Sequence, residues 1–193
     1  MVPDERPLLI IVGGAPGTGK STLAQQISRA LNVPVLSKDM FRETLVDATG
    51  LRTRDEVRAQ SALLFRLLYG IAGRLLQDGS SVIAECNFRR DISEPELMPL
   101  VERSRAVQIH CETSKEESLR RYVARFERGE RHWCHFDADW LADERAGLHA
   151  QDADVYGPLD LGIPTLRVDT TVGYAPDVDE VLSFIRSATG CST

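Results

Sequence analysis

Two kinds of apolar pattern alternate along the chain, short continuous runs and longer runs of helical period. Residues 8–12 are all apolar, which is typical of a strand buried on both faces. Leu23, Ile27 and Leu31 then recur every four residues, as one face of a helix does. Further short runs predict strands over about 32–36, 81–85, 106–110 and 165–169. This alternation predicts an α/β fold, a five-stranded parallel sheet with helices on both faces.

Helices are predicted between these strands in the first half of the chain. Residues 40–46 have a short helical pattern, and a weaker helix is predicted over 94–103. A long helix is predicted over 55–77, and Asp78-Gly79 ends it because glycine commonly follows a helix. Its apolar seam alternates by three and four residues and consists of Val57, Ser61, Leu64, Leu68, Ile71 and Leu75.

In the second half, capping residues mark where the helices begin. Ser114 and Glu117 have the spacing of a capping box, so a helix is predicted from there to about Arg128. Residues 130–140 are polar and aromatic without a clear period, and a further helix is predicted over 139–149. Asp177 is expected to cap a final amphipathic helix.

A glycine-rich segment between the first strand and the first helix fits the pattern G-x-x-x-x-G-K-[ST]. Glycine allows the backbone to approach phosphate oxygens closely, and the helix after it directs unpaired N–H groups at the anion. Lys20 is expected to reach the β- and γ-phosphates, and the Ser21 hydroxyl is expected to ligate Mg²⁺. The sequence therefore predicts a nucleoside triphosphate site made of Gly14, Ala15, Pro16, Gly17, Thr18, Gly19, Lys20, Ser21 and Thr22.

Composition narrows the class of protein. With 193 residues, 42% of them hydrophobic and 27% charged, the chain suits one globular domain over 1–193. The net charge of −6 disfavours long nucleic acid as a partner without excluding it. No C-x-x-C pair, signal peptide or long apolar run is present, which predicts a cytoplasmic protein with no membrane association.

Asp39 follows the second predicted strand, and Arg42 comes one helical turn later. Ligands of parallel sheets bind at the carboxyl ends of the strands, so both side chains are expected at the nucleotide site. A carboxylate there could accept the proton of an attacking hydroxyl, while Arg42 could steady the substrate. The alternative is that Asp39 caps a helix, and the sequence leaves both interpretations open.

Glu85 ends the third predicted strand, where an acid could support Mg²⁺ through a water molecule. It could equally pair with Arg42 or with Arg89 in the loop that follows. Arg89 is a candidate for substrate contact, although adjacent loop arginines such as Arg89 and Arg90 are commonly solvated. The site prediction here is thus Glu85 for metal or substrate and Arg89 for substrate.

Three arginines, Arg121, Arg125 and Arg128, are spaced so that they form one stripe of a helix opposite Leu119 and Phe126. Such a stripe is often only a solvated face. Because no acid interrupts it, the stripe also suits a lid over about 120–140 that closes on phosphates, with Arg131 as a fourth candidate. Arg121 and Arg125 are the predicted nucleotide contacts.

Together these motifs resemble the small P-loop kinases, and most nearly the predicted AAA-type ATP-binding kinases. Those are similar to the kinase domain of polynucleotide kinase, to zeta-toxin-type kinases and to chloramphenicol phosphotransferase. The resemblance implies ATP and Mg²⁺ as cofactors and Asp39 as general base. It also implies catalytic roles for Lys20, Arg42 and Arg125. Relatives often carry Asp where this chain has Glu85.

The function predicted is an ATP-dependent phosphotransferase that moves the γ-phosphoryl group to a hydroxyl of a small molecule. One alternative is a 5′-hydroxyl polynucleotide kinase. Another is a nucleotide-dependent switch ATPase that binds a partner protein. The sequence identifies neither the acceptor nor the oligomeric state.

Overall fold

The computed structural model describes residues 5–147 and 155–190, and its centre is one parallel sheet. The strand order is β2-β3-β1-β4-β5, with every pairing parallel. This confirms the predicted α/β fold with a five-stranded parallel sheet. The strands are β1 (Leu8–Gly13), β2 (Val35–Ser37), β3 (Val82–Glu85), β4 (Arg105–Glu112) and β5 (Thr165–Asp169).

Helices connect the strands and cover both faces of the sheet. A short 3₁₀ turn, Trp133–His135, lies between the sixth and seventh helix. Within the described part of the chain, no helix is both long and apolar enough to cross a membrane. The helices are α1 (Lys20–Leu31), α2 (Lys38–Thr49), α3 (Arg54–Ala59), α4 (Ser61–Gln77), α5 (Glu94–Val101), α6 (Lys115–Glu127), α7 (Asp137–Arg145) and α8 (Val178–Thr189).

The central strand β1 is buried on both faces because its side chains alternate between two cores. Ile10 and Val12 pack with α1 and α8 on one face of the sheet. Leu9 and Ile11 pack with α4 and α5 on the other face. Burial on both faces explains why the strand appears in the sequence as a continuous apolar run rather than an alternating one.

The single helix predicted over 55–77 is wrong, because the chain forms α3 and α4 with a break at Gln60. Thr53 and Glu56 form a capping box that starts α3, and Val57 packs with Val46 in a small separate cluster. The predicted seam is also partly wrong, since Ile71 is 38% exposed. The buried row of α4 follows a strict four-residue spacing and consists of Leu64, Leu68, Ala72 and Leu76.

Element ends in the second half also depart from prediction. Ser114 caps α6 by accepting the Glu117 N–H, but Glu117 does not return the bond because its carboxylate binds Arg120 and Arg121. Helix α7 covers Asp137–Arg145 instead of 139–149, and the predicted residues 148 and 149 lie outside the described residues. The Asp177 cap of α8 is confirmed.

Candidate active site

The glycine-rich loop between β1 and α1 has a backbone that only glycine adopts easily. Gly14, Gly17 and Gly19 have φ of 143°, 83° and 77°. A Cβ at Gly14 would lie 2.3 Å from the Cys111 carbonyl oxygen, and one at Gly17 would lie 2.5 Å from Ser118 Oγ. The loop is therefore packed tightly against the ends of β4 and α6.

Short hydrogen bonds hold the rest of the loop. Thr18 Oγ1 donates to the Ala15 carbonyl at 2.9 Å, and Ser118 Oγ donates to the Pro16 carbonyl at 2.6 Å. Helix α1 begins after Gly19 with no side-chain cap, so its first N–H groups have no such partner. This uncapped helix end inside a glycine loop fits a phosphate group.

Glu85 lies directly behind the loop and is buried, with 3% of its surface exposed. Ser21 Oγ donates to Glu85 Oε1 at 3.0 Å, and Ser37 Oγ donates to Oε2 at 2.7 Å. Lys20 Nζ lies 4.0 Å from Glu85 Oε1 and 3.5 Å from the Ala15 carbonyl oxygen. The predicted alternative, a pairing of Glu85 with Arg42 or Arg89, is wrong.

Asp39 is the second residue of α2, whose N-cap is Ser37, so the capping interpretation of Asp39 is wrong. Its carboxylate lies 3.5 Å from Arg42 and 3.7 Å from Arg131. Burial alone would raise the pKa of Asp39, yet the basic groups around it lower that pKa below its ordinary value. In order of effect these groups are His135, which acts only when it is protonated, and then Arg42, Lys20 and Arg131.

Arg42 is fixed from its other side by His135. The guanidinium can only donate, so His135 Nδ1 accepts from Arg42 at 3.2 Å. His135 Nε2 then carries the proton and donates to Glu43 at 2.7 Å. Burial lowers the pKa of His135, which agrees with this neutral tautomer.

Arg131 is fixed by residues that the sequence analysis missed. It donates to Asp137 Oδ1 at 2.8 Å, and the Tyr122 hydroxyl donates to the same oxygen at 2.5 Å. The Tyr122 ring lies 5.1 Å from the Arg131 guanidinium and stacks on Trp140 with ring centroids 4.0 Å apart. Asp137 is 7% exposed, and nothing in its irregular sequence context indicates this partner.

The arginines of α6 line one wall of a groove of about 250 Å³ whose other wall is Gly17, Gly19 and Thr22. Arg121 lies beside Gly19 and donates to Glu117 and to Thr170. The predicted apolar side of α6 is not fully buried, since Phe126 is 44% exposed. The groove places Arg121 and Arg125 against the phosphate loop rather than on a solvated face.

Arg125 differs from Arg121 because its Nε is buried without a hydrogen-bond partner among the described residues. Burial, followed by the charge of Arg131, lowers the pKa of its guanidinium. Its carbon Cζ lies 5.8 Å from the centroid of the Tyr122 ring. A half-buried cation with an unsatisfied donor beside a phosphate loop fits an anionic ligand.

The remaining candidate, Arg89, is not brought into this cluster. Its side chain is exposed and forms no hydrogen bond or ion pair with the described residues. Its backbone N–H donates to Ser93 Oγ at 3.1 Å, and its carbonyl accepts from the Ser93 N–H at 2.9 Å. The neighbouring Arg90 instead donates to the Pro158 carbonyl at 2.8 Å and holds the segment after residue 155. A substrate role for Arg89 stays a prediction.

Comparison with known proteins now identifies the family. A family model described as an AAA domain (AAA_33) matches residues 9–146, which include the loop, Asp39, Glu85 and the arginines of α6. The chain belongs to this family. The match confirms the resemblance to P-loop kinases that the motifs indicate, and the chain is a kinase-like P-loop NTPase.

Similar proteins agree with this assignment. A candidate kinase of Chloroflexus aurantiacus is 33% identical, with 97% of this chain and 98% of that one covered and a TM-score of 0.81. The APS kinase of Mycobacterium tuberculosis, solved with AMPPNP and APS, shares the fold at 20% identity. That match covers 94% of this chain and 98% of the enzyme, with a TM-score of 0.63.

A similar sequence also occurs within a longer chain. An uncharacterized protein of Mycobacterium tuberculosis is 28% identical over 93% of this chain. This chain spans about a third of the length of that relative, 35%.

Proposed function

We propose that this protein transfers the γ-phosphoryl group of ATP to a hydroxyl group of a small molecule. The observation that carries the proposal is the Asp39 carboxylate, held beside Arg42 and Arg131 across the crevice from Lys20. A kinase needs a carboxylate at this place to accept the hydroxyl proton. A plain nucleotide switch has no need of a half-exposed acid fixed by two arginines.

Each residue of the crevice has a role that its contacts support. The phosphate loop and Lys20 hold the phosphates, with Arg121 and Arg125 above them. Arg42 and Arg131 keep Asp39 ionised and oriented, because their charges stabilise the carboxylate. Asp39 then accepts the proton at the hydroxyl oxygen, and positioning of the two reactants supplies most of the remaining rate.

Ser21 and Glu85 would hold Mg²⁺, because a hydroxyl and a carboxylate oxygen lie together behind the loop. The ion, when bound, neutralises charge on the phosphate oxygens. Ser37 keeps the second Glu85 oxygen occupied, which orients the carboxylate toward Ser21. A Glu in place of the Asp common in relatives therefore still meets the loop hydroxyl.

The variant Asp39→Asn tests this proposal. Loss of a positioned base should lower phosphoryl transfer by about 10²–10⁴-fold. ATP affinity and melting temperature should stay near those of the unmodified protein, because the loop, Lys20 and the bond from Ser37 to Glu85 are untouched. Transfer is measured as ATP consumption across a panel of sugars, nucleosides, aminoglycosides and oligonucleotides.

The matched control is Asp78→Asn, because Asp78 is an exposed acid at the end of α4 that pairs with Arg74. Normal transfer by Asp39→Asn to a confirmed acceptor would remove Asp39 as base. Hydrolysis stimulated by a protein and by none of the small acceptors would instead favour the switch ATPase. Label found on an oligonucleotide end would favour the polynucleotide kinase.

A further inference from the structure

Lysine is rare in this chain, and its placement is uneven. Of the 23 basic residues only three are lysines, namely Lys20, Lys38 and Lys115. Lys115 is a surface residue whose side chain is 66% exposed and pairs with Glu144. Lys20 belongs to the phosphate loop. Lys38, the residue before Asp39, has no role in the proposed function.

Lys38 is buried, with only 8% of its surface exposed. Its Nζ lies 3.9 Å from the centroid of the Phe65 ring on α4. No carboxylate among residues 5–147 and 155–190 forms an ion pair with it, and no described group forms a hydrogen bond to it. Burial lowers the pKa of its ammonium, and the nearby charge of Asp39 only partly offsets this effect.

The end of α2 that carries Lys38 lacks a cap. Ser37 occupies the N-cap position, yet its hydroxyl donates to Glu85 and caps nothing. The first N–H groups of this 12-residue helix therefore have no side-chain acceptor. A helix N-terminus with unpaired N–H groups attracts anions, and here it is accompanied by a largely buried lysine with no ion pair among the described residues.

The acids nearby are already engaged. Glu85 accepts from Ser21 and Ser37, and the two Asp39 oxygens face Arg42 and Arg131. In the proposed function, the loop, Lys20 and the arginines of α6 bind the phosphates of ATP. Lys38 is thus the one basic residue beside Asp39 to which the proposed function assigns no partner.

We propose that Lys38 and the N-terminus of α2 bind an anionic group, a carboxylate or a phosphate, of the molecule that is phosphorylated. This inference rests on the proposed function and narrows its substrate class to acceptors that carry both a hydroxyl and a negative charge. Cationic acceptors such as aminoglycosides are disfavoured, because they would add positive charge beside Lys38, Arg42 and Arg131. The opposing account is that Lys38 only joins α2 to α4 through Phe65.

Lysine acetylation followed by mass spectrometry tests occupancy of the site without any turnover. A non-hydrolysable ATP analogue fills the phosphate loop, and the protein is then acetylated with acetic anhydride in the presence of glucose, gluconate or glucose 6-phosphate. We expect at least one of the two anions to slow acetylation of Lys38 by about tenfold at saturation, as expected for a charge-assisted contact. Glucose should have no effect, and Lys115 acetylation should stay constant throughout.

The three compounds share the six-carbon chain of glucose and differ in charge. They therefore distinguish a carboxylate from a phosphate as the anionic group of the acceptor. Protection by gluconate alone indicates a carboxylate acceptor, and protection by glucose 6-phosphate alone indicates a phosphate acceptor. Equal protection by glucose, or no protection by either anion, overturns the proposal.

The variant Lys38→Met removes the charge and keeps a flexible apolar chain over Phe65. We expect affinity for the protecting anion, measured by calorimetry, to fall about ten- to hundredfold, because one charge-assisted contact is lost. Melting temperature should stay constant or rise, since a buried unpaired charge is removed. Lys115→Met is the control and should change neither quantity. A lower melting temperature with unchanged anion affinity would show that Lys38 is structural.

Failure of this inference differs from failure of the proposed function. A protein that phosphorylates neutral acceptors equally well with and without Lys38 is a kinase with no anion site. A protein whose Lys38 is protected by an anion, but which phosphorylates nothing in the panel, has the anion site without the proposed activity.

Discussion

The two sides of the crevice are held in place by different means. The phosphate loop, residues 14–21, is fixed mainly by its own backbone, with three glycines at positive φ and short bonds such as Thr18 to Ala15. The acceptor side, around Asp39, is fixed by side chains from distant parts of the sequence. Arg131 comes from the segment after α6, and His135 comes from the 3₁₀ turn before α7.

The difference has a functional consequence. A loop shaped largely by glycine backbone conformation should tolerate changes around α7, because the bonds that hold it come from the loop itself and from Ser118. An acid held by ion pairs depends on every charge that reaches it, so substitutions near α6 and α7 should change Asp39 without touching it. On the proposed function, we therefore expect nucleotide binding to be less sensitive to such substitutions than phosphoryl transfer.

The largest expected effect comes from a substitution in the phosphate loop. Lys20→Met should lower ATP turnover by about 10²–10³-fold, as loss of one preorganised contact to the phosphates does. The fold should survive, because Glu85 keeps its bonds from Ser21 and Ser37. Turnover and melting temperature are measured together, with Lys115→Met as control. Unchanged turnover would remove the phosphate-loop assignment.

An intermediate effect is expected for the two arginines of α6, which form a matched pair. Arg125→Met should lower transfer about ten- to hundredfold and leave the free energy of unfolding nearly unchanged, because its Nε has no partner. Arg121→Met should lower the free energy of unfolding by about 1–3 kcal/mol, since its bonds to Glu117 and Thr170 are lost. Urea unfolding and transfer assays separate the two. Equal stability losses would contradict the distinction.

The smallest expected effect comes from a substitution in the central sheet, which carries both sides of the crevice. His110 on β4 is buried, and burial lowers its pKa from 6.5 to about 4. The unfolded chain therefore binds this proton first as pH falls, so stability is full above pH 6.5 and declines toward pH 4. The slope from one group is at most about 1.4 kcal/mol per pH unit. His110→Gln should flatten this part of the stability profile, and an identical profile would rule out His110 as its source.

Much of the fold was predictable because the signals are local. A continuous apolar run identified β1, and the glycine spacing identified the loop, since both depend on neighbouring residues alone. The break at Gln60 was not predictable in this way. Residues 55–77 have a nearly continuous helical period, and the break accompanies the packing of Val57 with Val46 in a separate cluster.

The sequence by itself determined the sheet, the phosphate loop and the presence of an acid after β2. Only the tertiary structure decided that Asp39 is not a cap, that Asp137 fixes Arg131, and that Lys38 is largely buried with no ion pair among the described residues. The physical reason is how far apart in the sequence the interacting residues lie. Backbone conformation and apolar period are set within a few residues, whereas ion pairs and burial depend on which distant side chains the fold brings together.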